Sequence, residues 1–457
     1  MERDLYKKLL SWQNSENRKP LVLHGARQVG KTHLLKQLGA DIVDKQNRSF
    51  HYFDFERTPG LNSIFERDLS PQRILNDLSV ATNQPIDPET AFVVFDEVQQ
   101  CPSALTALKQ FYQEIPQLSL CAAGSLLGVA LGETSYPVGK VTHLDLFPLS
   151  FREFLGANGL DLANNFLSTV GPADGGPSEL THSEIWNQLL TYFVVGGLPE
   201  AVNAFVESKA QLVEKLHVVR GIQEDLVIAY LADMAKHSGK INSMHLDRLW
   251  KNVPAQLQRS QDGAASKFVF KDSVPGLRGY DQLIGPIDWL KSAGLILRVP
   301  VVNQAHNPLK AYEKENWFKL LMFDVGLLGS TSRLEPKTIL EYNYGSFKGF
   351  FAENFVAQEL LTSGVKDLFS WREGASEVEF VHSVENQVVP IEVKSGMSGK
   401  TRSLATFINK YSPKLAVVLS GKRSIELSDS HKTGTKILKA PLYMAGEVDR
   451  LVKTILQ

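Results

Sequence analysis

The chain has 457 residues, 43% hydrophobic and 22% charged, with a formal net charge of -1. This is the mixture of a globular protein of about three domains, and it excludes a disordered or fibrous chain and the gross basicity of a nucleic-acid coat. No apolar run approaches the roughly eighteen residues of a bilayer crossing, and the N-terminus lacks a secretory apolar stretch, so a cytoplasmic protein with no membrane partner is expected. The two cysteines, Cys101 and Cys121, are too few for a disulfide framework and are expected as reduced core thiols.

Leu21–His24 is a short apolar run before a Gly-rich turn, and His33–Leu38 reads as a helix that stops at Gly39. Further strands are predicted at Phe50–Phe55, Ala91–Phe95 and Leu118–Ala122, with helices between them, including Ser103–Glu114. Alternating strands and helices imply a three-layer α/β domain whose parallel sheet binds ligands at the carboxyl ends of its strands. Residues 156–182 are rich in Gly, Pro, Asn and Ser and read as a loop or insertion. Ser183 to about Lys236 is helical, broken by the turn Val195–Glu200. From Ile241 to Pro300 the order fits a winged helix: helices Met244–Asn252 and Pro254–Arg259, strand Phe268–Lys271, recognition-type helix Tyr280–Ser292 and wing strand Gly294–Val299. Mixed α/β structure returns with a helix over Phe350–Leu361 and strands over Glu377–Val381, Val388–Lys394 and Leu415–Leu419. The expected organisation is a P-loop domain over 1–155, a helical lid over 156–240, a winged helix over 241–335 and an α/β domain over 336–457.

Gly25-Ala26-Arg27-Gln28-Val29-Gly30-Lys31-Thr32 is a complete G-x-x-x-x-G-K-T between a strand and a helix. Glycines let backbone N–H groups turn onto phosphates, the helix N-terminus that begins at Lys31, Thr32 and His33 favours anions, Lys31 reaches the β- and γ-phosphates, and Thr32 ligates magnesium. The apolar strand that ends in Asp96-Glu97 supplies a magnesium-holding acid and a water-polarising base. The next strand runs into Ser125, a candidate for sensing the γ-phosphate or the attacking water. ATP is preferred over GTP because no N-K-x-D guanine reader is present. Lys140 and Arg152 are candidates for a cation acting in trans.

The segments HGARQVGKTHLL, FVVFDEVQ, CAAGSLLG, LFPLSFREFL and VGGLPEAV, in this order, resemble the prokaryotic AAA-type ATPases that carry a C-terminal domain of uncharacterised function. The resemblance implies ATP binding, an AAA-type sheet, a winged-helix segment after the lid, a C-terminal segment similar to restriction-endonuclease-like folds, and a homo-oligomer with sites between protomers. The chain departs from the pattern at Lys140, where relatives often have Arg.

In nucleases of the PD-(D/E)xK kind, an acid on one strand and an E-x-K on the next converge on magnesium. Strand alternation places Glu392 and Lys394 on one face as metal ligand and base, with Glu379 as a second ligand and Glu353 as a third. From Thr401 onward Lys and Arg outnumber Asp and Glu by six, a surplus suited to DNA phosphates. His24, His33, His143 and His382 have no metal-spaced partners, and Trp186, Trp250, Trp289, Trp317 and Trp371 are expected in the core. The resulting expectation is a magnesium-dependent ATPase coupled to DNA binding or remodelling. The alternatives are an ATP-controlled protein-interaction switch with an inactive nuclease-like domain, and an ATP-gated metal-dependent nuclease.

Overall fold

The computed structural model describes the chain except residues 126, 128–138, 262–266, 272, 278, 346, 397–400 and 431, and the side chains of 240, 241 and 258–261. It divides into two compact units, residues 2–147 with 292–294, and residues 148–291 with 295–457.

The first unit is built on parallel strands β1 (Leu21–His24), β2 (Ser49–Asp54), β3 (Ala91–Asp96), β4 (Ser119–Ala123) and β5 (Thr142–Asp145), in the order β2-β3-β4-β1-β5. β3 and β4 are buried at every residue, which their apolar runs announce. β5 pairs at the edge beside β1, and its half-exposed Thr-His-Leu-Asp carries no apolar run to reveal it in the sequence. The helix after β1 does not stop at Gly39 but runs over Lys31–Gln46. Gly39 lies inside it because a Cβ there would meet the Phe50 ring at 2.6 Å, so the glycine serves close packing and not termination. Phe55, Phe65, Phe95 and Phe111 pack edge to face around the core, with the Phe65 and Phe95 ring centroids 5.6 Å apart. Cys101 and Cys121 are free and buried, and burial pushes both thiols up.

The second unit carries an eight-stranded mixed sheet, ordered β12-β13-β11-β10-β9-β8-β6-β7. Its strands are β6 (Ile296–Val302), β7 (Glu313–Met322), β8 (Phe369–Glu373), β9 (Ser376–Val384), β10 (Gln387–Val393), β11 (Leu415–Ser420), β12 (Glu426–Asp429) and β13 (Lys436–Pro441). The β6–β7 hairpin, assigned from sequence to a separate middle domain, joins this sheet by parallel pairing of Val301 and Val302 with Ser370 and Trp371. The two helices expected at Met244–Asn252 and Pro254–Arg259 belong to one helical run, Leu212–Gln261, interrupted at Gly239 (φ 76°, ψ 162°) and containing Pro254. Phe268–Lys271 is not a strand, although Phe268 N donates to Phe318 O at 2.7 Å. Residues 156–182, expected as loop, contain the helix Asp161–Thr169. The Arg450 guanidinium holds the carbonyls of Leu167 and Val170 at its end, a distant contact with no local signal.

The GGLPEAV turn has a clear physical reason. Gly196 (φ 71°) and Gly197 pass over the buried Asp324 carboxylate, which accepts Gly197 N at 2.7 Å and caps helix Val325–Thr331 through Leu327 N at 3.0 Å. A Cβ on Gly196 would lie 2.3 Å from Asp324 Oδ1. Among the described residues no helix is long and apolar enough to cross a membrane.

Candidate functional site

β1 delivers the chain into a loop whose backbone turns inward at Gly25 (φ 149°), Gln28 (φ 65°) and Gly30 (φ 97°), Gly30 being the N-cap of helix Lys31–Gln46. A Cβ on Gly25 would sit 2.3 Å from Leu146 O, so only glycine fits there. Ala26 and Val29 are buried beneath the loop, Gln28 and His33 are exposed, and Arg27 pairs with Glu56 at 3.5 Å. The Lys31 amine is buried and donates to Gly25 O at 2.9 Å and Ala26 O at 2.8 Å. Burial pulls its pKa down to about 8, against the opposing pull of Glu97 and Asp96.

Thr32 Oγ1 donates to Asp96 Oδ2 at 2.6 Å, and the Tyr52 hydroxyl donates to the same oxygen at 2.7 Å. Glu97 N donates to Asp96 Oδ1 at 2.9 Å. A hydroxyl and a carboxylate in contact at the start of an anion-favouring helix are the hard oxygen donors that magnesium takes, so Thr32 and Asp96 fit that ion. Glu97 stands in the left-handed region (φ 49°, ψ 42°), a costly conformation for a residue with a Cβ and one that concentrates at functional sites. Its Oε2 accepts Gln99 Nε2 at 2.5 Å and Ser125 Oγ at 3.4 Å. Because β4 lies between β1 and β3, Ser125 at its end falls beside the acids.

Sequence reasoning missed Tyr52 and Gln99. Tyr52 is legible only from register, which aligns β2 with β3 so that its ring approaches Asp96. Gln99 follows Glu97 by two residues but carries no motif of its own. His24 and His143 have no metal-spaced partners in the sequence, yet β1–β5 pairing brings their ring nitrogens to 2.8 Å, and burial lowers His24 to about 4. Arg152 is committed elsewhere, to Glu447 at 2.9 Å and Asn164 at 2.8 Å, while Lys140 lies over the Tyr112 ring.

Residues 17–155 match the family model of an AAA domain. They form an AAA-type P-loop domain. Residues 187–338 and 348–443 match two models described as domains of unknown function, DUF8612 and DUF4143. No curated protein matches the chain. Among solved structures, the Aeropyrum pernix ORC1 protein in complex with DNA is 13% identical, with 74% of this chain and 90% of that chain covered and a TM-score of 0.29. AMPPCP-bound DnaA from Aquifex aeolicus is 12% identical over 63% and 86%, with a TM-score of 0.30, and C. elegans PCH-2 is 15% identical over 49% and 65%, with a TM-score of 0.28. Likenesses this weak carry no argument beside the AAA domain's own geometry.

The C-terminal carboxylates gather, but not as the sequence implied. The Glu353 carboxylate, on helix Phe347–Thr362, accepts Lys319 Nζ at 2.8 Å, and Glu377 contacts the same amine. Lys319, on β7, is 4% exposed; burial would discharge it, but Glu353 and Glu377 outweigh burial and hold its pKa above the usual range. Lys394 pairs with Glu392 at 2.6 Å and lies 3.9 Å from Glu379. Burial, then the neighbouring Glu392, pushes Glu379 up to about 8, so it is mostly protonated at neutral pH. The expected quartet is brought into one cluster, with Glu379 within electrostatic reach of Glu392, Lys394 and Glu353, and Lys319 enters it as a further member. Among the described residues no group of three or more His, Cys, Asp or Glu is arranged to hold a metal ion. Lys319 escaped the sequence reading because it lies on a strand assigned to a different domain.

Proposed function

We propose that the chain is a magnesium-dependent ATP hydrolase whose turnover is coupled to DNA binding or remodelling. The observation that carries the hydrolase is the contact of Thr32 with Asp96, with Glu97 beside it on Ser125 and Gln99. Thr32 and Asp96 would hold magnesium, which would neutralise phosphate charge. The chain does the rest. The N–H groups of the loop and of the helix start bind the phosphate oxygens, Lys31 adds a mobile cation, and Glu97 orients the attacking water and accepts its proton at the carboxylate. Ser125 offers a hydroxyl at the γ-phosphate side, and Gln99 sets the Glu97 rotamer.

DNA is supported by the cationic surplus after Thr401. The β6–β7 hairpin and helix Tyr280–Ser292, in winged-helix order, are the proposed second contact, and an oligomer with sites between protomers is the proposed assembly. The test is magnesium-dependent ATP turnover of wild type and Glu97→Gln, with single-stranded, duplex and branched DNA, at two salt concentrations. Salt-sensitive stimulation by one form is expected; turnover indifferent to every DNA would sink the coupling. A second reading, an ATP-controlled interaction switch whose nuclease-like domain does not cut, is favoured by the capture of Glu353 by Lys319.

A further inference from the structure

The parallel strands β10 and β11 end side by side and continue as Lys394-Ser395-Gly396 and Gly421-Lys422, with Gly421 N donating to Gly396 O at 3.2 Å. Two neighbouring cavities open at this crossing and share Gly396 in their lining. One, of about 450 Å³, is lined by His182, Trp186, Tyr342 and Lys348 and floored by Ser395 and Gly421. The Trp186 and Tyr342 rings stand at 83° with centroids 5.5 Å apart, and Lys348 Nζ lies 4.7 Å from the Tyr342 centroid. The other, of about 500 Å³, is lined by Lys394, Lys422, Lys432 and Lys439, and the N-terminus of helix Arg402–Tyr411 opens into it at Thr401.

The chemistry of the two cavities differs in a way that suits one kind of ligand. Among the described residues neither lining contains an Asp or Glu. Among the described residues Lys422, Lys432 and Lys439 form no ion pair, so their charge is available, and a helix N-terminus adds to it. Trp186, predicted as core, is half-buried with its ring over Gly421, and an indole face beside a perpendicular phenol is a stacking platform for a planar base. Both cavities have the size of small-molecule sites, and they sit beyond the carboxyl ends of parallel strands, where α/β sheets bind ligands.

The geometry points to a second nucleotide site, distinct from the P-loop: an unpaired base against Trp186 and Tyr342, its phosphates on Lys422, Lys432 and Lys439. The nucleotide is either the end of a DNA strand or a free mononucleotide; the first source rests on the DNA reading above. The test uses the full chain carrying Lys31→Ala, which removes phosphate binding at the P-loop, and a fluorescent, end-phosphorylated short single strand followed by anisotropy across salt. Replacing Lys422, Lys432 and Lys439 together by Ala is expected to lower the salt slope of log K by about two. Trp186→Leu is expected to weaken binding about tenfold with the slope unchanged. Should the strand not bind, AMP titrated by calorimetry is expected to bind in a Trp186-dependent manner, which keeps the site and assigns it to free nucleotide while the DNA reading falls. Strand binding untouched by both changes overturns the site and leaves the DNA reading standing. Binding of neither probe overturns the site.

Discussion

The P-loop and the C-terminal carboxylate cluster use the same residue types, acids with lysines beside them, and arrive at opposite chemistry. At the P-loop, Lys31 rests on two backbone carbonyls and the Asp96 carboxylate accepts the Thr32 and Tyr52 hydroxyls, so cation and acid form no ion pair with one another. In the cluster, Lys319 and Lys394 sit directly on Glu353 and Glu392, and the charges are spent on one another. Acids with lysines beside them therefore point to a phosphate site only when the cation is held away from them by something else. Here the turning backbone of a glycine loop does that.

The largest effect expected from breaking this comparison is at Glu97. Glu97→Gln should lower ATP turnover by about 100-fold to 10,000-fold while nucleotide binding persists, because only proton transfer to the carboxylate is removed; steady-state turnover beside equilibrium nucleotide binding checks it. In the C-terminal cluster the corresponding loss is of stability. Lys319→Met removes the buried amine that Glu353 and Glu377 share and should cost about 3–5 kcal/mol in urea unfolding. The double change Lys319→Met with Glu353→Gln should recover more than half of that loss.

Protonation separates the sites further. Glu379 has its folded pKa raised to about 8 from 4.5, so its contribution to stability is complete below pH about 4.5 and is lost as pH rises through 8. Unfolding free energies measured from pH 5 to 9 should fall, and Glu379→Gln should flatten the decline. Glu359, also held near 8, and Asp324, near 6, add slopes of the same sign, so the flattening is partial. Lys31 titrates near 8 in the free protein, so its amine loses charge as pH rises and phosphate binding should take up protons. Calorimetry of ATP binding at pH 8.5 in two buffers of different ionisation enthalpy reads that uptake, and Lys31→Arg, whose charge does not titrate there, should abolish it. The smallest effect is structural: Ser150 and Glu153 form a reciprocal cap on helix Phe151–Ala157, and Ser150→Ala should cost about 1 kcal/mol.

Local pattern carried most of the first unit. The buried strands β3 and β4 are continuous apolar runs, and Gly25, Gly30, Lys31, Thr32, Asp96 and Glu97 stand at fixed offsets from strand ends, so chain order alone places them at one edge of a parallel sheet. Pattern failed where a residue's meaning lay in a distant partner. β5 has no apolar run because it is an edge, and Gly39 looks like a stop until Phe50 packs against it. Trp186 has the flanks of a core residue, yet it borders a cavity because Gly421 comes beneath its ring.

The sequence by itself determined the phosphate loop, the acids that face it and the alternation of strands and helices, because each depends on residues within a few positions of one another. Tertiary structure alone decided that the β6–β7 hairpin belongs to the C-terminal sheet, that Arg152 serves Glu447, and that Lys319 closes on Glu353. These depend on which strands pair and which buried charges meet. A buried ion pair is written into no local periodicity, since either partner alone has the pattern of a surface residue.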